Sequence, residues 1–163
     1  MVSQGERAFE RLVVSPDLQD GKGDGACVLA LSRGILAEML AHVVAGSPDE
    51  ACGVLAGDRA GRVTHHFPAA NASDTPRTFS EIGAQELLAI WNELEAYDWQ
   101  MLAYYHSHPA TPAYPSPRDV LWSRNWPGTL YVIFSLADPA TPVVRAFHIA
   151  GESVAEHRIV VEP

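Results

Sequence analysis

The chain has 163 residues, enough for one domain that buries its own core without disulfide staples. Its 20 acidic and 11 basic residues give a formal net charge of −9, which counts against nucleic acid, a partner bound through clustered Lys and Arg. Cys27 and Cys52 are the only cysteines, too few for a disulfide framework, so a reducing, cytoplasmic setting is the simplest expectation.

The opening MVSQGERAFERLV lacks the basic head and apolar run of a signal peptide. No apolar stretch approaches the ~20 residues that cross a bilayer, so no membrane partner is expected. SPDLQDGKGDGA is polar and Gly-rich, and residues 1–24 read as a flexible tail, dispensable for folding, ahead of a domain over 25–163. ACVLALS predicts a short strand. Ser32 then caps a helix through RGILAEMLAHVV, with Ile35, Leu36, Met39, Leu40 and Val43 on its apolar face. After the turn GSPDE, ACGVLAG reads as a buried strand, joined through Asp58 to Gly61 to a neighbour in GRVTHHFPA. NASDTPRTFSEIG is a loop of turn formers. A second helix is expected over Ala84 to Tyr97, with Leu87, Leu88, Trp91, Leu94 and Glu95 in helical period, and Trp91 and Trp99 fit its packing on the sheet.

QMLAYYHSH is the next strand, and Pro109, Pro112, Pro115 and Pro117 keep the following segment irregular. A short helix starts near Pro117. Trp122 and Trp126 follow it, as cleft walls or as core. GTLYVIFSLA, TPVVRAFHIAG and SVAEHRIVVE complete the pattern as three strands. The fold class is α/β, with a mixed sheet and two or three helices.

Chemistry concentrates in YYHSHPATPAYPSPRDV, residues 104 to 120. Alternate residues of a strand share a face, so His106 and His108 can aim at one point. Asp119 at the start of the next helix can add a carboxylate. Two imidazoles and one carboxylate on zinc leave a fourth position open, as in catalytic rather than structural sites. Plainer readings remain open: two surface histidines on an edge strand, and a capping box with Ser116 at the N-cap, Pro117 at the first helical position and Asp119 in the first turn. For Ser116 and Asp119 alone, capping is the better explanation, and it is compatible with metal binding. His42, His65, His66, His148 and His157 lack such spacing and read as surface or packing residues. Cys52 invites a nucleophile reading, but it sits in an apolar strand where a buried thiol is ordinary.

His-Ser-His-Pro, with seven residues between His108 and Ser116, then Ser-x-x-Asp, resembles the signature of the JAMM (MPN-positive) metalloproteases. PDEACGVLAG, residues 48 to 57, resembles that family's E-x-C-G stretch, and the two pieces stand in the family's order. The resemblance runs from about residue 26 to the C-terminus and implies a single-domain, cytidine-deaminase-like MPN fold. Carried over by position, it implies zinc ligands His106, His108 and Asp119, a general base and acid at Glu50, and Ser116 stabilising the tetrahedral intermediate. Spacing alone does not select Glu50 over Glu81, Glu86, Glu93 or Glu95. The chemistry is coherent: zinc acidifies its water and polarises the carbonyl, an unligated carboxylate moves the proton, and a hydroxyl faces the oxyanion.

Within the family the chain is most similar to small bacterial peptidases of the Mec type. Those trim residues from the C-terminal Gly-Gly end of ubiquitin-like sulfur-carrier proteins, as in release of cysteine from a carrier. HSHPAT differs from the H-N-H-P-S-G segment of RadC-like proteins, and the H-x-E…P-C-x-x-C signature of cytidine deaminases is absent. The gap between the two motifs is short for the insertions of eukaryotic deubiquitinases. The expected activity is therefore a zinc peptidase cutting the amide bond after a carrier's Gly-Gly. Two alternatives stay open: a deubiquitinase-like isopeptidase, and a zinc-retaining scaffold domain. Oligomeric state is not legible.

Overall fold

A computed structural model describes residues 4–16 and 28–163. Its centre is a mixed sheet of eight strands: β1 (Val13–Val14), β2 (Val28–Ser32), β3 (Cys52–Gly57), β4 (Val63–Ala69), β5 (Gln100–His108), β6 (Leu130–Ser135), β7 (Val143–Ala150) and β8 (Ser153–Glu162). The order is β2-β8-β7-β6-β5-β3-β4, with β1 added beside β7. The β5–β6, β2–β8 and β1–β7 pairs are parallel. The β3–β4, β3–β5, β6–β7 and β7–β8 pairs are antiparallel. Ala30 of β2 also bridges Arg62 beside β4, so the ends of the sheet curl toward each other.

Strand alternation sorts side chains onto two faces. Leu55, Ala103, Tyr105, Val132 and Phe134 pack with Leu36, Met39, Leu40 and Val43 of helix α2 (Arg33–Gly46). Val54, Ala56, Tyr104, Tyr131 and Ile133 pack with Ile90 and Leu94 of helix α3 (Ala84–Ala96). Ser32 caps α2 as its sequence predicts, its hydroxyl accepting from Ile35 N–H at 3.2 Å. Gly53 lies opposite Tyr105, where a Cβ would collide with the Tyr105 ring and the Phe67 carbonyl oxygen. No helix among the described residues is long and apolar enough to cross a membrane.

Two expectations are corrected. Residues 4–16 are not a flexible tail. Helix α1 (Gln4–Phe9) places Ala8 in the core, Phe9, Leu12 and Val14 pack beside it, and Arg33 of α2 lies 4.7 Å from the centre of the Phe9 ring. Val13 and Val14 pair with Val143 and Val144. The reason is that β8 swings from β7 to β2, leaving the start of β7 an edge for β1 to fill. Residues 1–3 and 17–24, and the domain start at 25, lie outside the described residues. The second correction concerns α3: its buried residues are Ile90 and Leu94, whereas Leu88 and Trp91 are 60% and 44% exposed. Leu87, Ile90 and Leu94 form a stripe narrower than the run of apolar residues, and Leu88 and Trp91 fall outside it.

Candidate active site

β5 is an interior strand, hydrogen-bonded to β3 on one side and β6 on the other, so its C-terminal residues are rigidly placed. His106 and His108 point to the α3 face and are 0% and 4% exposed. The surface-histidine reading is thereby excluded. Their Nε2 atoms stand 3.1 Å apart. His108 Nδ1 lies 2.9 Å from the Pro112 carbonyl oxygen; donating its proton there leaves Nε2 bare, the tautomer a metal ligand needs. Ser135 Oγ donates to Thr111 O at 2.7 Å, anchoring the Pro-rich loop that carries this acceptor.

Helix α4 (Pro117–Trp122) opens with a full capping box. Ser116 N–H donates to Asp119 Oδ2 at 2.7 Å, and Asp119 N–H donates to Ser116 Oγ at 3.2 Å. The cap turns the Asp119 carboxylate onto the histidines: Oδ1 is 3.3 Å from His106 Nε2, and Oδ2 is 3.3 Å from His108 Nε2. Ser116 Oγ accepts from the backbone, so its O–H proton remains available to another acceptor. One geometry satisfies the capping reading of Asp119 and also sets its carboxylate beside both histidines.

The cluster of His106, His108 and Asp119 brings three ligand atoms within 4.8 Å of one another. Spacings of 3.1–3.3 Å match the ~3.3 Å edge of a tetrahedron built on bonds of ~2.0–2.1 Å, the lengths zinc takes with N and O ligands. Two facing imidazole nitrogens this close require a shared proton or a cation between them. The cluster is capable of metal coordination. Burial alone would raise the Asp119 pKa, but the His106 charge and the hydrogen bonds that both histidines donate when protonated outweigh it and hold the carboxyl well below the usual range. For His108, burial works to lower the pKa, and the Asp119 hydrogen bond with the Pro112 carbonyl overrides it, so the net shift is upward.

Glu50 lies two residues before the start of β3 and is 6% exposed. The register brings it beside the cluster, since Cys52 pairs with His106. Ser107 N–H donates to Ala51 O at 3.0 Å, and Ala51 N–H donates to Ser107 Oγ at 2.9 Å. Burial raises the Glu50 pKa, and the nearby His106 and His108 offset this only in part. Ser80 is buried, and its Oγ lies 2.8 Å from Tyr104 OH. The competing carboxylates are elsewhere: Glu86 accepts from Ala70 N–H, Glu93 and Glu95 are exposed, and Glu81 is half-buried. Cys52 is fully buried, and burial pushes its thiol up to about 12, which suits packing rather than nucleophilic attack.

The remaining aromatics frame this region. Trp122 packs edge-on against Phe79, with ring centroids 5.7 Å apart. Arg118 lies 3.9 Å above the same ring and donates to Thr75 Oγ1 at 3.2 Å. Among the other histidines, His66 bonds Tyr105 OH at 2.7 Å and His65 stacks on Trp99. Sequence reasoning passed over Ser107, Ser80, Asn71 and the Pro112 carbonyl. Ser107 carried a weak signal, a polar side chain inside a buried strand. Asn71 carried none, because an Asn among turn formers reads as a turn.

Residues 32–150 match the family described as prokaryotic homologs of the JAB domain. A CysO-cysteine peptidase of Mycobacterium tuberculosis is 38% identical over 135 residues, covering 82% of this chain and 91% of that protein. A desampylase of Haloferax volcanii is 35% identical over 139 residues, covering 82% and 96%. The solution structure of a protein from Desulfitobacterium hafniense gives a TM-score of 0.75 at 35% identity, covering 83% of this chain and 93% of that one.

Proposed function

The chain belongs to the prokaryotic JAB-domain family, the JAMM/MPN fold, and from that premise we propose that it is a zinc-dependent peptidase cutting the amide bond after the C-terminal Gly-Gly of a ubiquitin-like sulfur-carrier protein. The observation that carries the chemistry is a buried His106–His108–Asp119 cluster with one unligated buried carboxylate, Glu50, beside it. The carrier as substrate is supported by the likeness to a protein named CysO-cysteine peptidase. What is released is an amino acid such as cysteine, or a short peptide. An acidic chain with few cysteines fits work in the cytoplasm.

In this reading His106, His108 and Asp119 hold the metal. Zinc, when bound, supplies acidity to its water and polarises the scissile carbonyl. Glu50 accepts the proton of the attacking water on its carboxylate and later delivers it to the leaving amine nitrogen. Its burial raises its proton affinity, which suits a group that must take up the proton of the attacking water. Ser116 donates its free O–H to the carbonyl oxygen as negative charge grows there. The Pro-rich loop 109–117 forms a cleft wall whose prolines cost little entropy to hold in place. Gly-Gly is thin enough to thread past it, and the folded carrier body supplies the rest of recognition.

Mass spectrometry of carrier adducts bearing one added residue after Gly-Gly, beside linked diubiquitin and with or without a chelator, tests this. Chelator-sensitive release of the added residue is expected. Efficient cleavage of diubiquitin with untouched adducts would assign a deubiquitinase-like isopeptidase instead, and carrier binding with no turnover of any substrate would leave a scaffold.

A further inference from the structure

A general base must be held to a fraction of an ångström, yet Glu50 belongs to no helix or strand. The loop between β4 and α3 grips it at two points. Glu50 N–H donates to Pro76 O at 2.7 Å. Glu50 O accepts from Asn71 Nδ2 at 2.8 Å. The loop is itself gathered around a single carboxamide: Asn71 Nδ2 also donates to Phe79 O at 2.9 Å, and Asn71 Oδ1 accepts from Ser73 N–H at 3.0 Å and Glu81 N–H at 3.2 Å.

We propose that Asn71 is the positioning residue for Glu50, its carboxamide fixing the Glu50 carbonyl to the loop whose Pro76 carbonyl holds the Glu50 N–H. This rests on the reading of Glu50 as general base. Asn alone has the right reach and polarity. Its oxygen end organises the turn, and its nitrogen end ties the turn to Glu50 and Phe79. Asp in its place keeps the acceptor for Ser73 and Glu81 but turns a charged oxygen toward two carbonyl oxygens, so the substitution cuts the ties to Glu50 and Phe79 while leaving the bonds from Ser73 and Glu81. Asn71 acts without touching substrate, so its effect belongs in turnover and not in binding.

The test compares wild type, Asn71→Asp, Glu50→Gln and the double variant, each as zinc-loaded full-length protein on a carrier adduct, with zinc content and thermal midpoint recorded. Asn71→Asp is expected to lower kcat by ~10–100-fold, the size of effect a small misplacement produces, with KM and zinc content unchanged. The double variant is expected to match Glu50→Gln to within about twofold, because misplacing an absent base costs nothing further. Wild-type kcat in Asn71→Asp, or a double variant slower than Glu50→Gln by the full Asn71→Asp factor, would overturn the proposal and make Asn71 a structural residue only. Wild-type turnover in Glu50→Gln would instead remove the base reading itself. Should Asn71→Asp be recovered unfolded, Asn71→Ser, smaller and uncharged, is read by the same criteria; failure of both to fold also assigns Asn71 to structure and ends the proposal.

Discussion

His106, His108 and Asp119 come from one stretch of chain and brace one another: a strand end aims the histidines, a loop carbonyl sets one tautomer, and a helix cap turns the carboxylate onto both rings. Glu50, two residues ahead of the neighbouring strand β3, is held from a distance along the chain; the β4–α3 loop and Ser107 of β5 hold it and its neighbour Ala51. One half of the site is assembled by secondary structure and the other by tertiary contacts. The first should survive loss of the second. The converse should fail, since a base beside an unfilled ligand cluster has no acidified water to act on.

The largest contrast is between the halves themselves. His106→Ala/His108→Ala is expected to lose zinc and all turnover, whereas Glu50→Gln keeps zinc and loses about 10²–10⁴-fold in kcat, the usual worth of general acid–base catalysis; metal analysis beside steady-state kinetics measures both. Full zinc retention in the double-histidine variant would sink the ligand assignment. Ser116→Ala sharpens the comparison, because one side chain serves both cap and oxyanion. Its kcat should fall by roughly 10–1,000-fold, and the lost cap should cost about 1 kcal/mol by denaturant unfolding. A stability loss with unchanged kcat would restrict Ser116 to capping.

Deleting residues 1–16 probes a region outside both halves. The buried Ala8 and the packed Phe9, Leu12 and Val14 should be worth about 2–4 kcal/mol, roughly 5–15 °C in midpoint, with kcat intact; an unaltered midpoint would show that the docked segment adds no stability. The smallest expected effect is at Cys52. With its thiol pushed up to about 12 by burial, peptide mapping after alkylation at pH 8 should find Cys52 unmodified in the native protein and modified once unfolded.

How much was legible follows the same division. The ligand half could be read because strand alternation and a capping box are short-range patterns, visible within one window of sequence. Glu50 could be picked only through the family motif, since nothing in its own neighbourhood distinguishes it from Glu86 or Glu93. Asn71 and Ser107 were illegible because their partners, Glu50 and Ala51, are distant in the chain. Residues 4–16 were misread for a related reason. A six-residue helix and a two-residue strand are too short to show a period, and packing stabilises them where propensity would not. In α3 the apolar residues exceed the buried stripe, so composition pointed to Leu88 and Trp91 while the sheet took Ile90 and Leu94.

At Gly53 the β3 backbone rests against the Tyr105 ring, whose hydroxyl is in turn engaged by His66. The strand that follows the base and the strand that carries the ligands are thus already at closest approach, and any side chain at Gly53 could only prise them apart. Reshaping this protein for a bulkier leaving residue therefore has one direction open to it. The seam between β3 and β5 offers no adjustment, so new specificity has to be written into the outer turns of loops 71–83 and 109–117, clear of Asn71, Pro76 and Pro112, whose bonds hold Glu50 and His108 in place.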